Sequence, residues 1–426
     1  MTTVRHDPTA LSRRAPGRAA ESLSPRGWFA ALRHALEKPL TAYYLLMVGP
    51  ALLLTLGLVM VLSASSVDAF ENHGSSYFWV LRQLEWVAVG LPLAWIASRL
   101  PVRIVRLLAW PGFFLAVGLL VLTHPALLGH AVNGNTNWIG VGGFRLQPSE
   151  FAKLGLVLWA AHVYAHKERR LDQLHHLLVP VVPGMLLVVG LVLWQRDLGT
   201  SLVLLAIMLA MLWVVGAPGR LFTLTVSVAG VGALYLATTS SERRERLLSF
   251  TDPFKDFLGA GWQPAHGLYA LSSGGWFGEG IGASRQKWGD LPEAHTDFIF
   301  AVLGEELGLV GTMLVVGLFL TIAYAGIRVA LHTTDPFVRY ASFGIVIWLL
   351  GQMIINVGMV LALLPVIGIP LPLVSYGGSA LLPSLMALGL LVGFARREPE
   401  AARALAVKRR SRSAGLSAGS VGAHGL

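Results

Sequence analysis

The chain has no cysteine. Disulfides, thiolate nucleophiles and cysteine metal ligands are excluded, while the compartment is left undetermined. It is also poor in charge. Asp, Glu, Lys and Arg make up 13% of its 426 residues, about half the share of an ordinary soluble domain. Hydrophobic residues make up 54%. They come in long runs instead of alternating with polar residues, so the two or three soluble domains that length alone suggests are not supported. A helix crosses the hydrocarbon core with roughly 20 apolar residues, and such runs recur through the middle of the chain.

Spans are predicted at about 44–63, 78–97, 104–122, 150–165, 177–194, 200–216, 221–238, 298–327, 339–363 and 379–395. The fourth is interrupted by Lys153, and the eighth is long enough to hold a short membrane-proximal segment before the span proper. The expected fold is all-α: a polytopic membrane protein with about ten transmembrane helices and one large ordered extracytoplasmic loop. Residues 1–42 hold seven Lys or Arg with several Pro, Gly and Ser and are expected to be a mostly disordered cytoplasmic tail. Residues 43–396 form the ten-span domain, and 397–426 a second basic, disordered tail. No cleavable signal pattern stands at Met1, so the first span is expected to remain as an anchor.

The formal charge is +10, but its placement marks topology and not nucleic-acid binding. Arg99, Arg103 and Arg106 follow the second span, and Lys167, Arg169 and Arg170 follow the fourth. Arg220, Arg328 and Arg339 stand at the next same-side positions, and Arg396, Arg397, Lys408, Arg409 and Arg410 follow the tenth. On the opposite side, segment 64–77 has Asp68 and Glu71 but no Lys or Arg. The positive-inside rule then puts both termini in the cytoplasm.

One outer loop, 239–297, is about sixty residues long and contains Arg243, Arg244, Arg246, Lys255, Arg285 and Lys287. A loop of that length is exported whatever its charge, and loops this long are usually functional or disordered. Its Gly, Trp and Phe content argues for order. The outer segment 123–149 holds Asn133-Gly134-Asn135-Thr136-Asn137-Trp138 and Gly142-Gly143, which is turn chemistry with an aromatic near the membrane surface.

Ionisable residues at membrane depth suggest function by default. Asp297 stands where the long loop re-enters the membrane, ahead of an apolar run. Desolvation would raise its pKa towards that of a useful general base, and the loop cations would lower it. The plain alternative is a helix N-cap. Glu150 and Lys153, three residues apart, share a helix face and suit a structural ion pair, with Pro148-Ser149-Glu150 as a helix start. Asp197 looks like another cap, paired with Arg196. Glu305 and Glu306 are either a buried pair or the partners of loop cations. Arg suits phosphate through its planar fork, so the outer loop is a sensible place for a pyrophosphate, the alternative being anionic lipid headgroups. The glycines of 274–282 superficially match a nucleotide fingerprint, but no strand precedes them and they face outside. No pair of histidines has metal-ligand spacing, so no structural metal is expected.

Four segments carry a family resemblance: LPEAHTDFIFAVLGEELG (291–308), VNGNTNWIGVGGFRLQPSEFAKL (132–154), RDLGT (196–200) and LLPVIGIPLPLVSYGGSAL (363–381). In this order on ten spans they closely resemble the SEDS family (shape, elongation, division and sporulation) of bacterial peptidoglycan glycosyltransferases. The opening run 39–70 resembles the division branch more than the elongation branch, and the basic tails resemble actinobacterial members. The resemblance implies polymerisation of lipid II at the outer face of the cytoplasmic membrane, at the division septum. The 4-hydroxyl of one sugar attacks the anomeric carbon of the growing chain, and a polyprenyl pyrophosphate leaves. By the same resemblance Asp297 is the catalytic carboxylate. Arg243, Arg246 and Lys287 would stabilise the departing pyrophosphate, and Gln263, Glu293, His295, Trp138, Glu150, Lys153, Ser375 and Ser379 complete the substrate-binding set. No cofactor is implied beyond an assisting divalent cation, which stays open. The implied partners are a class B penicillin-binding protein, docked on the outer faces of spans eight and nine, other division proteins, and membrane lipids at the basic C-terminal tail. The chain departs from the family pattern at Asn137, usually Arg, at Arg196, often Pro, and at His266-Gly267, usually Gln-Ser. A lipid II flippase and a non-catalytic division scaffold remain the competing functions.

Overall fold

The structure is a computed structural model. It describes residues 37–407 apart from 125–126, 128, 133–134, 142–143, 239–251 and 290. Residues 1–36 and 408–426 of the two tails, with Arg243, Arg246, Lys408, Arg409 and Arg410, lie outside the described residues. Residues 399–407, expected to be disordered with the rest of the second tail, are instead helical, as their alanine-rich run favours.

Within the bilayer every backbone N–H and C=O must be paired inside its own segment, which leaves helices as the means of crossing for an apolar chain such as this. Helices α1 (Thr41–His73) and α2 (Phe78–Arg99) open the bundle. A short α3 (Val102–Leu107) leads into α4 (Ala109–Leu122), and α5 is Pro148–Lys167. The pair α6 (Leu174–Leu178) and α7 (Val181–Trp194) is followed by α8 (Leu198–Val214) and α9 (Gly219–Thr238). The long loop carries α10 (Trp262–Ser273), and α11 (Ile299–His332), α12 (Pro336–Val360) and α13 (Gly378–Ala395) close the bundle. Six of these are long and apolar enough to cross a membrane: α1, α2, the α6–α7 unit, α11, α12 and α13. The shorter α4 and α8, α9 through its apolar part Gly219–Gly232, and α5 with its internal Glu150 and Lys153 occupy the other four predicted spans. α13 packs along α2, α11 along α1 and α12, and α12 against α5 and α8.

The structure adds two features to the sequence reading. Segment 123–149 is not only turns. It holds a three-stranded antiparallel sheet, β1 (Gly129–Val132), β2 (Asn135–Val141) and β3 (Phe144–Leu146), with Ile139 opposite Gly129 and Leu146. The Asn-Gly and Gly-Gly steps between these runs are hairpin signals that outweigh the surrounding apolar context. The eighth span is broken at Gly308, whose φ of 66° and ψ of −165° are not helical. There the strap 274–280 crosses the break. The N–H groups of Glu279 and Gly280 donate to the carbonyls of Glu305 and Glu306, and those of Leu309 and Val310 donate to Gly275 and Trp276. Non-helical backbone at this depth is tolerated because the strap satisfies it. A Cβ at Gly308 would lie 2.4 Å from the Gly278 nitrogen, so the position needs glycine for both its φ and its space.

Candidate active site

The Asp297 turn begins at Glu293, which sits at a φ of 55°. Its carbonyl accepts the N–H groups of Thr296 and Phe298 at 3.1 and 3.2 Å. Its carboxylate accepts the Thr296 hydroxyl at 2.6 Å. Gln263 on α10 donates its amide to the Pro292 carbonyl at 3.1 Å, so the loop helix braces this turn. The N-cap of α11 is Phe298, with no side-chain cap bond. The capping alternative for Asp297 therefore does not hold, and its carboxylate remains for another task.

The segment between α12 and α13 closes over the turn. Asn356, fully buried on α12, donates its Nδ2 to the carbonyls of Asp297 (2.8 Å) and Ile369 (2.7 Å). One amide thus ties the two strands of chain together. Gly368, at a φ of 70°, lies beside the carboxylate, and a Cβ there would come 3.2 Å from Asp297 Oδ2. The Tyr376 N–H donates to the His295 carbonyl at 2.9 Å. Gln83 on α2 donates to the Ser375 carbonyl and accepts from the Gly377 N–H, both at 3.3 Å. Ser375 accepts the Leu371 N–H on its hydroxyl at 2.8 Å, and Ser379 is buried in the first turn of α13. Beside them the His295 ring stacks on Trp79 at 5.3 Å, with Tyr376 edge-on to Trp79 at 5.0 Å. The Trp79 indole donates to Asp68 at 2.9 Å.

Asp297 is half-buried. Burial, then the negative charges of Glu293 and Asp197, push its pKa up to about 7. Desolvation, one of the two influences expected from sequence, leads, and the neighbouring charges that act with it are negative. Burial lowers the pKa of His295, with Glu293 and Asp68 opposing, which keeps its imidazole neutral near pH 7.

The remaining polar residues form the supporting frame. Asp197 is the N-cap of α8, accepting the Thr200 N–H at 2.9 Å. It also accepts the amides of Asn137 (2.9 Å) and Gln147 (3.1 Å), so it ties the sheet to the bundle. Trp138, the neighbour of Asn137, is half-buried on β2, opposite His130 in register. Glu150 and Lys153 form the expected ion pair at 2.8 Å, both nearly fully buried. Lys153 also donates to Gln352 at 3.2 Å, and Gln352 to the Pro370 carbonyl at 3.5 Å. That cluster therefore supports the segment covering Asp297, and the structure gives it no direct contact with the carboxylate.

Lys287, which the resemblance implies at the pyrophosphate, instead fits the other reading of Glu305 and Glu306 as partners of loop cations. It is buried, paired with Glu306 at 3.2 Å and bonded to Ser63 at 3.1 Å and the Gly282 carbonyl at 2.7 Å. Ser63 donates to the same Glu306 oxygen at 2.6 Å, while Glu305 accepts the Ser284 hydroxyl at 2.6 Å and the Arg285 N–H at 2.9 Å. The two glutamates of α11 therefore hold loop residues 284–287, and through Ser63 they tie to α1. Among the described residues no group of three His, Asp or Glu side chains converges as for a metal. Sequence reasoning passed over Asn356, Gly368, Gln83 and Trp79. The available signals were Asn356 and Gln83, polar residues inside apolar spans.

Six spanning-grade helices and a half-buried carboxylate at the mouth of the bundle define a polytopic membrane protein with a candidate acid–base site. The chain belongs to the FtsW/RodA/SpoVE family of cell cycle proteins, whose sequence model matches residues 44–400. A Mycobacterium tuberculosis protein named "Probable peptidoglycan glycosyltransferase FtsW" is 39% identical over 401 residues, covering 94% of this chain and 76% of the relative. "Stage V sporulation protein E" of Bacillus subtilis is 37% identical over 354 residues, 83% of this chain and 96% of the relative. Among solved structures, the Thermus thermophilus rod shape determining protein RodA superposes with a TM-score of 0.61 at 30% identity, over 83% of this chain and 96% of that one. A chain of the structure described as "Structural coordination of polymerization and crosslinking by a peptidoglycan synthase complex" superposes with a TM-score of 0.68 at 30% identity, over 83% and 97%.

The geometry makes Gly368 sensitive. Gly368→Ala forces a left-handed residue, costing roughly 1–2 kcal/mol, and sets a methyl against the carboxylate. The carboxylate must give by only a few tenths of an ångström, so the rate loss should stay below the roughly 10²-fold of a 1 Å misplacement. The expected result is a partial loss of that kind in the reaction the carboxylate serves, with a drop of only a few degrees in Tm. Wild-type rates from the Ala variant would show that Gly368 does not define the carboxylate's position.

Proposed function

We propose that this chain is a peptidoglycan glycosyltransferase that polymerises lipid II, with Asp297 as general base, during septal wall synthesis. The observation that carries the reading is the half-buried Asp297 carboxylate held by its own backbone to Asn356, with its pKa pushed up to about 7 by burial. A base poised there takes a proton from the acceptor 4-hydroxyl as its oxygen forms a bond to the anomeric carbon. The bond from that carbon to the pyrophosphate oxygen breaks, and the polyprenyl pyrophosphate leaves with the electron pair. Arg243 and Arg246 are the cations proposed to receive that charge. The loop basicity supports cytoplasmic termini, and so an outward-facing Asp297. The proposed partner is a class B penicillin-binding protein on the outer faces of α11 and α12. A cavity of about 390 Å³ lined by Leu271, Trp276, Phe300, Met313, Val316 and Val357 lies there. A flipping pathway is less favoured, because the polar cluster at depth, Glu150 with Lys153, is buried and engaged with Gln352.

The test is glycan polymerisation from purified lipid II by the wild type, with the partner transpeptidase present and its own chemistry blocked. Polymer whose rate rises with pH through about 7 and levels above supports the reading, since the base acts only when unprotonated and its raised pKa sets the inflection. Absence of polymer together with transfer of labelled lipid II across vesicles would move the assignment to a flippase.

A further inference from the structure

A second cavity, of about 330 Å³, lies on the Asp297 side of the bundle, between the ends of α4 and α7 and strand β2. That volume falls within the roughly 300–1,000 Å³ range of small-molecule sites. It is lined by Thr123, His124, Thr136, Trp194, Gln195 and Arg196. Arg196 is held at a φ of 66°, a conformation uncommon for a non-glycine residue and worth examining for function. Gln195 is 4% exposed, and while its Nε2 donates to the Leu120 carbonyl at 3.0 Å, its Oε1 accepts no hydrogen bond. A buried acceptor of that kind calls for a donor. The wall therefore offers a cation and an acceptor together.

The face below the cavity is apolar and open. Trp194 is 63% exposed, with the His124 ring 5.0 Å away, and an exposed Trp at a span end marks the headgroup level. One turn down α7, Gly190 has nothing within 4 Å of where a Cβ would stand. Leu187 and Leu186, seven and eight residues before Trp194, share its face and are half exposed. Together Trp194, Gly190, Leu187 and Leu186 form a shallow track running from the cavity towards the bilayer interior.

We propose that this cavity and track bind one membrane phospholipid whose headgroup carries a terminal hydrogen-bond donor, as phosphatidylglycerol and phosphatidylethanolamine do. The phosphate meets Arg196, the terminal hydroxyl or ammonium meets Gln195 Oε1, and an acyl chain lies along the Gly190 track. A soluble phosphate would use none of the track, and a choline headgroup has no donor for Gln195. This site goes beyond the polymerase reading, and its test does not depend on activity.

Delipidated full-length protein in detergent is titrated with phosphatidylglycerol, phosphatidylethanolamine, phosphatidylcholine or a polyprenyl pyrophosphate, and bound lipid is read by native mass spectrometry. Arg196→Asn removes the charge with a residue that tolerates left-handed backbone. Gly190→Leu fills the track, and its Cβ meets nothing within 4 Å. Each is expected to weaken binding of the first two lipids about tenfold, the scale of one lost charge-assisted contact. Arg196→Lys should largely restore it. Equal binding by wild type and both variants overturns the site. Phosphatidylcholine binding as well as phosphatidylglycerol overturns the role of Gln195. Displacement of phospholipid by the pyrophosphate at equal concentration overturns the phospholipid assignment in favour of the substrate lipid.

Discussion

Asp297→Asn should lower the rate of lipid II polymerisation by about 10²- to 10⁴-fold, the usual contribution of a general base. The amide is nearly isosteric with the carboxylate but cannot accept the acceptor sugar's proton. Its cost to the fold should be small, because the bond that anchors this residue runs from Asn356 to the Asp297 backbone carbonyl, which the substitution keeps. The sign of the stability effect follows from the raised pKa. A carboxyl whose folded pKa is about 7, against an ordinary value of 3.8, favours the folded state most below that ordinary value. That contribution is lost as pH rises through 7, where the buried group must ionise. At pH 8 the Asn variant should therefore have a Tm equal to or above that of the wild type, while at pH 4 the advantage disappears. A Tm well below wild type at pH 8 would mean that the carboxylate holds the turn together, and loss of activity would then say little about proton transfer.

Lys287→Met should destabilise the protein by about 3–5 kcal/mol, because it leaves Glu306 as an uncompensated buried charge. Glu306 is fully buried, and its partners at that oxygen, Lys287, the Ser284 N–H at 3.4 Å and the Ser63 hydroxyl, come from the loop and from α1. Two neutral donors cannot offset the lost ammonium. The double substitution Lys287→Met with Glu306→Gln removes both charges and should recover most of the loss, since replacing a buried pair is often close to neutral. The check is the thermal unfolding midpoint of the three variants in the same detergent, followed by polymerisation with the partner present. A stable but inactive Lys287→Met would instead return this lysine to the pyrophosphate, the role its place in a basic loop suggests. The geometry favours the structural role, because the ammonium already has three partners.

These two positions divide what the sequence discloses from what it conceals. Asp297 is legible because its signal is local: a carboxylate immediately before an apolar run, within a motif. The Glu150–Lys153 pair is legible for the same reason, since helix periodicity brings residues three apart together. For Lys287 only the class of partner is legible, a glutamate at 305 or 306, and not which cation pairs with which. Its partner Glu306 is 19 residues away across a loop, and Ser63 is 224 residues away. Asn356 carries a polar signal within an apolar span, but its two acceptors, 59 and 13 residues distant, give that signal no address. The sheet in 123–149 shows the converse. Its hairpin signals were present, but short strands between helices carry weak periodicity.

By itself, then, the sequence determined the membrane class, the approximate positions of the spans, the family and the carboxylate at the re-entry point. Each of these follows from run length, charge placement or contiguous motif, and so from neighbours along the chain. Only the tertiary structure decided which loop cation is bound in an ion pair, that Gly368 and Asn356 frame Asp297, and that burial, joined by the charges of Glu293 and Asp197, raises its pKa. Those outcomes depend on desolvation and on contacts between segments far apart in sequence, and pairing across such distances leaves no local pattern to read.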